Sequence, residues 1–171
     1  MNKQTVDQMM NRLRLRHGIA LRLIEALPED KLNTNPIPNM RTPAQLIVHL
    51  YATVFREMIE GVQRGEIKEV DEASIAKSIK SKADLLAFAR TSFEAASKAA
   101  DSLTDAQLSA KVKTAWGSTP PGSAMIEAVN DEFYHHRGQL FAYARALGAT
   151  PPDMWDFQNN AAEFQPATAG A

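Results

Sequence analysis

The most constraining feature of the sequence is a helical repeat of apolar residues close to its C-terminal end. Alternating steps of three and four residues connect Ile126, Val129, Phe133, His136, Leu140, Tyr143 and Leu147. This spacing predicts one buried face of a long α-helix, in which a histidine is the single non-apolar, non-aromatic member. At about 100° per residue, His136 and Glu132, one turn apart, point inward, whereas Asp131 and His135 point outward.

The composition of the chain limits the class of protein that contains this helix and the kinds of site it can form. A chain of 171 residues with 44% hydrophobic residues can bury one core without disulfides or a structural metal. Its net charge of −1 argues against a broad nucleic-acid interface, and the absence of cysteine excludes thiolate ligands, cysteine nucleophiles and disulfides. Since no signal-peptide pattern or membrane-spanning apolar run occurs, we expect a cytoplasmic protein outside the membrane.

Amphipathic patterns and capping residues predict four helices, covering about residues 5–27, 42–65, 81–101 and 122–147. Thr42, Pro43 and Gln45 form a capping box at the start of the second helix, and Ser81 begins the third. Residues 66–80 lack a sustained period and predict a linker with one short helical turn. The fold class predicted is all-α, a four-helix bundle with long inter-helix loops in a single domain, residues 1–150.

The segment that follows, residues 151–171, is predicted to be a short C-terminal tail. Its first half contains Trp155 and Phe157, which we expect to pack against the helices, whereas the last residues, QPATAGA, are expected to be disordered.

Glu132 and His136 can reach one metal ion together, because side chains at i and i+4 stack on one face of a helix. A third ligand must then come from another helix, and the candidates are His49 and His17. Helical spacing places His17 in an apolar seam, which favours a hydrogen-bonded core residue, and places His49 with Thr53 on a polar strip at the helix boundary. Two imidazoles and one carboxylate would leave coordination positions open, as in catalytic Zn(II) and Fe(II) sites.

The alternative on spacing alone is a pair that binds no metal. In that interpretation Glu132 and His136 are hydrogen-bonded to each other in the interior, with Arg137 or Tyr143 as further partners.

The stretch YHHRGQLFAYARALGATPP resembles the signature of the last helix in the DinB-like family, whose members are grouped as DinB/YfiT-like metalloenzymes. The segment PIPNMRTPAQLIVHLYATVFREMIEGV is similar to the family's second helix, which supplies one histidine ligand. The resemblance implies that His49, Glu132 and His136 are the ligands. Glu132 departs from the pattern, because many members have histidine at this place.

The resemblance further implies one divalent metal ion (Zn, Ni, Mn or Fe) and a small-molecule substrate. It implies transferase chemistry, in which the metal activates a low-molecular-weight thiol for transfer to an electrophile or for isomerisation. It also implies a homodimer. A metal-dependent hydrolase and a non-catalytic metal- or ligand-binding stress-response bundle stay open as alternatives.

Residues close to the three predicted ligands are expected to hold the ligands in position or to line a pocket beside them. Residues expected to support the ligands or line the pocket are His17, Thr53, His135, Arg137, Gln139 and Tyr143. Among them, Arg137 and Gln139 could brace the imidazoles. We also expect Gly138 to allow close approach of a neighbouring segment, and Tyr134 and Trp116 to form pocket walls.

Overall fold

Capping residues in the sequence set where the helices begin. In the computed structural model, which describes residues 1–166, the Asn2 side chain accepts a hydrogen bond from the backbone of Thr5 and starts the first helix. The predicted capping box of Thr42 and Gln45 is present, and Ser81 forms a second capping box. The elements are α1 (Lys3–Ala26), α2 (residues 43–64), β1 (Glu66–Ile67), α3 (Glu72–Ser78), α4 (Lys82–Asp101), α5 (Asp105–Ser109), β2 (Lys113–Thr114) and α6 (Gly122–Ala146), with short 3-10 helices at Glu29–Lys31 and Ala162–Phe164.

The helix α2 changes its winding along its length. It runs as an α-helix over Pro43–Val48, as a π-helix over His49–Glu57 and again as an α-helix over Met58–Arg64. Gly65, with φ of 82°, ends it in the left-handed conformation that glycine adopts without strain. Short π-helical segments inside α-helices are frequently found at functional sites.

The four long helices surround one core, and each packs mainly against two of the others. Both α1 and α2 contact α4 and α6, and their apolar faces meet in one core. The largest fully buried side chains include Tyr51, Phe55, Phe133 and Tyr143. The helical fold class predicted from the sequence is therefore confirmed, and the packing is compatible with a four-helix bundle. No helix within residues 1–166 is long and apolar enough to cross a membrane.

The segment predicted as a linker has more structure than its sequence pattern indicates. Its first residues form β1, which pairs in parallel with β2, and Asp71 then caps the seven-residue helix α3. None of the side chains in α3 is fully buried, which explains why the sequence lacks an apolar period there.

The segment after α6 lies against α1. The buried Asn160 donates a hydrogen bond to the Leu15 carbonyl oxygen over 2.8 Å, and Arg22 forms a 2.7 Å ion pair with Asp156. The Gln165 side chain donates to the Asn160 carbonyl oxygen, so this residue is held in place and not disordered. Most of the other residues in the segment predicted to be disordered are residues 167–171, which lie outside the described residues.

Candidate metal centre

Three ligand-type side chains from two helices converge at one point of the structure. His49 begins the π-helical part of α2, and Glu132 and His136 lie one turn apart on α6. One ligand atom from each residue lies within 4.8 Å of the others, close enough for a single ion after small side-chain adjustments. The centroids of the His49 and His136 rings are 4.9 Å apart, and the ring planes are nearly perpendicular.

The geometry between Glu132 and His136 does not describe a hydrogen-bonded pair. His136 Nε2 lies 2.9 Å from Glu132 Oε2, but the angles are unsuitable for a hydrogen bond. Nε2 is buried and has no hydrogen-bond partner among residues 1–166. The metal-free alternative requires this hydrogen bond, so the geometry does not favour it.

The other ring nitrogen of His136 shows where the proton resides. Nδ1 donates to Gln139 Oε1 over 2.8 Å, and the Gln139 amide donates in turn to His135 Nε2 over 3.2 Å. Burial lowers the pKa of His136, the nearby His49 lowers it further, and the bond to Gln139 and the charge of Glu132 only partly oppose this. A neutral ring with its proton on Nδ1 presents a lone pair at Nε2.

Nε2 and the Glu132 oxygen are therefore two acceptor atoms that lie 2.9 Å apart with no proton shared between them. Their negative partial charges repel each other unless both atoms bind a cation. Two donor atoms that each bind an ion at about 2.1 Å with an angle of about 90° are about 3.0 Å apart. The observed separation fits that value, so Glu132 and His136 suit adjacent positions on one ion.

His49 is held by a carboxylate that the sequence analysis did not identify. Its Nδ1 donates to Glu72 Oε1 over 2.6 Å, which leaves Nε2 for a metal. The Thr53 hydroxyl donates to the same Glu72 oxygen. Burial raises the pKa of Glu72, but the hydrogen bonds from Thr53 and His49, helped by the charges of His49 and Arg41, hold it below its usual range. A carboxylate behind a metal-ligating imidazole is a common way to fix its orientation.

Glu72 also borders two surface cavities. One, of about 860 Å³, is lined by Thr53, Val70 and Trp116 among others, and the second, of about 730 Å³, by Arg41, Lys77 and Lys80 among others. Both volumes are in the range of small-molecule pockets. Trp116 lines the first cavity, whose lining residues include none of the three ligands, and more than half of Trp116 is exposed.

The structure does not bring His17 to the three ligands. This residue is fully buried, stacks on Phe93 with ring centroids 4.1 Å apart, and is hydrogen-bonded to the Tyr51 hydroxyl. Burial, followed by the charge of Arg90, lowers the pKa of His17 to about 3. It is the hydrogen-bonded core histidine that its apolar seam predicted.

The other residues that were predicted to support the ligands lie on different sides of α6. Gln139 braces His136, whereas Arg137 forms no hydrogen bond or ion pair with any of the three ligands within residues 1–166 and instead packs over Phe133 and Tyr134. Tyr143 is buried, and its hydroxyl has no hydrogen-bond partner within residues 1–166.

Burial also raises the pKa of Tyr143, although the charge of Arg41 opposes the shift.

His135 is exposed, as predicted, but reaches the site through Gln139. The expectation for Gly138 is wrong, because no atom approaches the position of its absent side chain within 4 Å.

Comparison with known proteins agrees with this architecture. The model of the DinB family matches residues 1–166. The uncharacterized protein YjoA of Bacillus subtilis (strain 168) is 23% identical over 146 residues, which cover 84% of this chain and 92% of YjoA.

Solved structures show the same fold. The crystal structure of the DinB-like YjoA matches with a TM-score of 0.67 and 22% identity, covering 84% of this chain and 93% of that one. A candidate DinB-family member from Exiguobacterium sibiricum 255-15 matches with a TM-score of 0.61 and 19% identity, covering 90% of this chain and 97% of its own.

Proposed function

The chain belongs to the DinB family, and from this premise we propose that it is a metal-dependent enzyme whose ion is held by His49, Glu132 and His136. The observation that carries the proposal is the buried Nε2 of His136, which faces a carboxylate oxygen at 2.9 Å without a hydrogen bond. Zn, Ni, Mn and Fe are the candidate ions, since all accept imidazole and carboxylate ligands.

The donor set suits a catalytic ion better than a structural one. Three nitrogen and oxygen ligands leave coordination positions for a substrate, whereas structural zinc sites are usually closed by four ligands. A divalent ion held there would lower the pKa of a thiol or water that binds to it, which makes either one a better nucleophile.

The supporting residues keep the ligands ready for a metal. Glu72 and Gln139 each accept the Nδ1 proton of one histidine, which leaves the Nε2 atom of both rings available as a metal ligand. Glu132 is the most exposed of the three ligands, since 46% of its side chain is accessible to solvent. Its place at the surface gives a substrate access to the ion.

We favour thiol transfer or thiol-dependent isomerisation as the reaction. Low-molecular-weight thiols commonly carry carboxylates, and the cavity of about 730 Å³ beside Glu72 is lined by Arg41, Lys77 and Lys80. Three positive side chains favour an anionic substrate at this place. If water takes the place of the thiol, the same residues would support a hydrolase.

The reaction can be tested with tag-free protein reconstituted separately with Zn, Ni, Mn and Fe(II). A panel of low-molecular-weight thiols is incubated with 1-chloro-2,4-dinitrobenzene, and thiol consumption is followed. We expect a metal-dependent rate that falls at least about tenfold in His136→Ala and Glu132→Ala. Asp131→Ala, which removes an exposed acid on the same helix, is the matched control and should keep the full rate.

The assay also separates the alternatives. Metal-dependent hydrolysis of an activated ester without any thiol would support the hydrolase. A protein that binds metal but accelerates neither reaction with any of the four ions would contradict the enzyme proposal and leave a non-catalytic bundle.

A further inference from the structure

A second polar cluster lies on the other side of α6, facing α1 and the tail. Arg137 follows His136 in the sequence, but only 3% of it is exposed and its Nη1 has no hydrogen-bond partner among residues 1–166. The Nε of Arg16 on α1 is likewise buried without a partner. None of the ion pairs within residues 1–166 includes either arginine.

Aromatic rings surround the two guanidinium groups without neutralising them. Both groups lie 5.4 Å from the centre of the Tyr134 ring, and Arg16 also lies 5.9 Å from the rings of Trp155 and Phe157. Cation–π contacts attract each guanidinium to a ring, but the two like charges repel each other. A charge as deeply buried as that of Arg137 normally has an ionic partner, so an anion is expected beside it. Arg16 is half-buried, and its Nη1 donates a hydrogen bond to the Arg12 carbonyl oxygen.

Arg137 also forms part of the wall of an open space. A cavity of about 460 Å³ separates α6 from residues 152–154, with Tyr134 and Phe141 on the helix side. Its charged lining consists of Arg137, Arg145 and a single acid, Asp153. The side chains that complete it are Pro152 and Met154.

Gly138 keeps this cavity open. A Cβ atom at this position would meet nothing within 4 Å, so the helix surface is bare where a side chain would otherwise fill the space. The volume suits a small organic molecule. Its apolar and aromatic walls with a net positive charge define the kind of molecule that fits.

We propose that this cavity, the Arg137 cavity, binds a small organic anion with a flat apolar body. Its carboxylate or phosphate group accepts hydrogen bonds from the Arg137 guanidinium, whose planar donors match either group. Its body packs against Tyr134 and Phe141. The site is separate from the metal ligands, because His136 packs against His49 of α2, whereas Arg137 shares the Tyr134 ring with Arg16 of α1 and lines the cavity beside residues 152–154.

The proposal can be tested on the metal-free full chain with benzoate, its neutral analogue benzamide, phenyl phosphate and inorganic phosphate. Binding is measured by calorimetry and by the ¹⁵N-edited NMR signal of the Arg137 Nε–H group. We expect benzoate or phenyl phosphate to bind at least about tenfold more tightly than benzamide and to shift the Arg137 signal. The tighter of these two anions identifies the head group.

Variants assign the binding to the cavity. Arg137→Met and Gly138→Leu should each weaken binding of the tighter anion at least about tenfold. Gly138→Leu fills the cavity yet leaves the charge in place, so it tests the proposal even if Arg137→Met fails to fold. Asp153→Asn should tighten binding because it removes the opposing acid, and Arg56→Met, at an exposed arginine on α2, should change nothing.

Equal affinity for benzoate, phenyl phosphate and benzamide would overturn the proposal, because a charge-independent ligand does not need Arg137. Unchanged affinity in Gly138→Leu would overturn it as well. Inorganic phosphate that binds as tightly as phenyl phosphate would contradict the role of the apolar walls.

Discussion

Glu72 accepts a hydrogen bond from His49 Nδ1 and so fixes the orientation of the His49 ring. A conservative substitution of Glu72 should therefore weaken metal binding without removing a ligand. In Glu72→Gln we expect metal affinity to fall roughly 10–100-fold, because the amide holds the ring proton less strongly than a carboxylate. Glu69→Gln, at an exposed acid in the same segment, is the matched control. Competition titrations against a chelating dye measure both. Equal affinities in the two variants would show that Glu72 does not support the site.

His17 predicts how the stability of the protein depends on pH. Its pKa is about 3 in the folded protein and about 6.5 in the unfolded chain, so between these values only the unfolded chain binds the proton. The free energy of unfolding should therefore fall as the pH falls through this window, by up to about 1.4 kcal/mol per pH unit.

The measurement is urea unfolding of the parent and of His17→Gln at pH 6.5 and pH 5. Between these pH values we expect the parent to lose about 2 kcal/mol more than the variant, because the variant has no proton to take up. Identical losses would mean that burial of His17 does not lower its pKa.

The sequence predicted some site residues and missed others for identifiable reasons. Glu132 and His136 lie four residues apart on a strongly periodic helix, so their spacing alone placed them together. Glu72 is 23 residues from His49 and lies on a short helix without a buried face, so no local pattern connects the two residues. The burial of Arg137 likewise depends on how α6 packs near α1 and the tail, which no local pattern predicts.

Among the secondary-structure elements, the π-helical part of α2 explains the uncertain position of His49. The helical wheel assumes about 100° per residue, but Met58 donates its backbone hydrogen bond to Thr53, five residues earlier. Residues on either side of this segment are therefore out of phase with one α-helical period. That change lets His49 face His136 while the apolar residues of α2 still face the core.

The contact between α1 and the tail depends on a glycine that leaves room for the tail. A Cβ at Gly18 would lie 2.6 Å from the side chains of Asn160 and Phe164, whereas a Cβ at Gly138 would meet nothing. Gly18→Ala should lower the free energy of unfolding by about 1–2 kcal/mol through overpacking. Gly138→Ala should raise it by about 0.5–1 kcal/mol, since alanine favours a helix.

Urea unfolding compares the two variants, and limited proteolysis after residue 150 reports whether the tail stays docked. Faster cleavage in Gly18→Ala alone is the expected result. Two variants of equal stability, with equal cleavage, would show that the tail does not pack closely against α1.

For the whole molecule, the three ligand residues connect two helices that are far apart in sequence. His49 lies on α2 and the other two ligands on α6, and these two helices pack directly against each other. The helical fold class followed from periodicity and caps, because long amphipathic helices leave strong local signals. The order in which these helices pack did not, since the long loops allow several arrangements.

Elemental analysis detects directly whether His49, Glu132 and His136 hold a metal ion. Tag-free protein is reconstituted with Zn, Ni, Mn or Fe(II), freed of excess metal, and its metal content per chain is measured. We predict about one ion per chain in the parent and in His17→Ala, and none in His49→Ala and His136→Ala. A parent that retains none of the four metals, or metal that persists in His49→Ala but is lost in His17→Ala, would contradict the account.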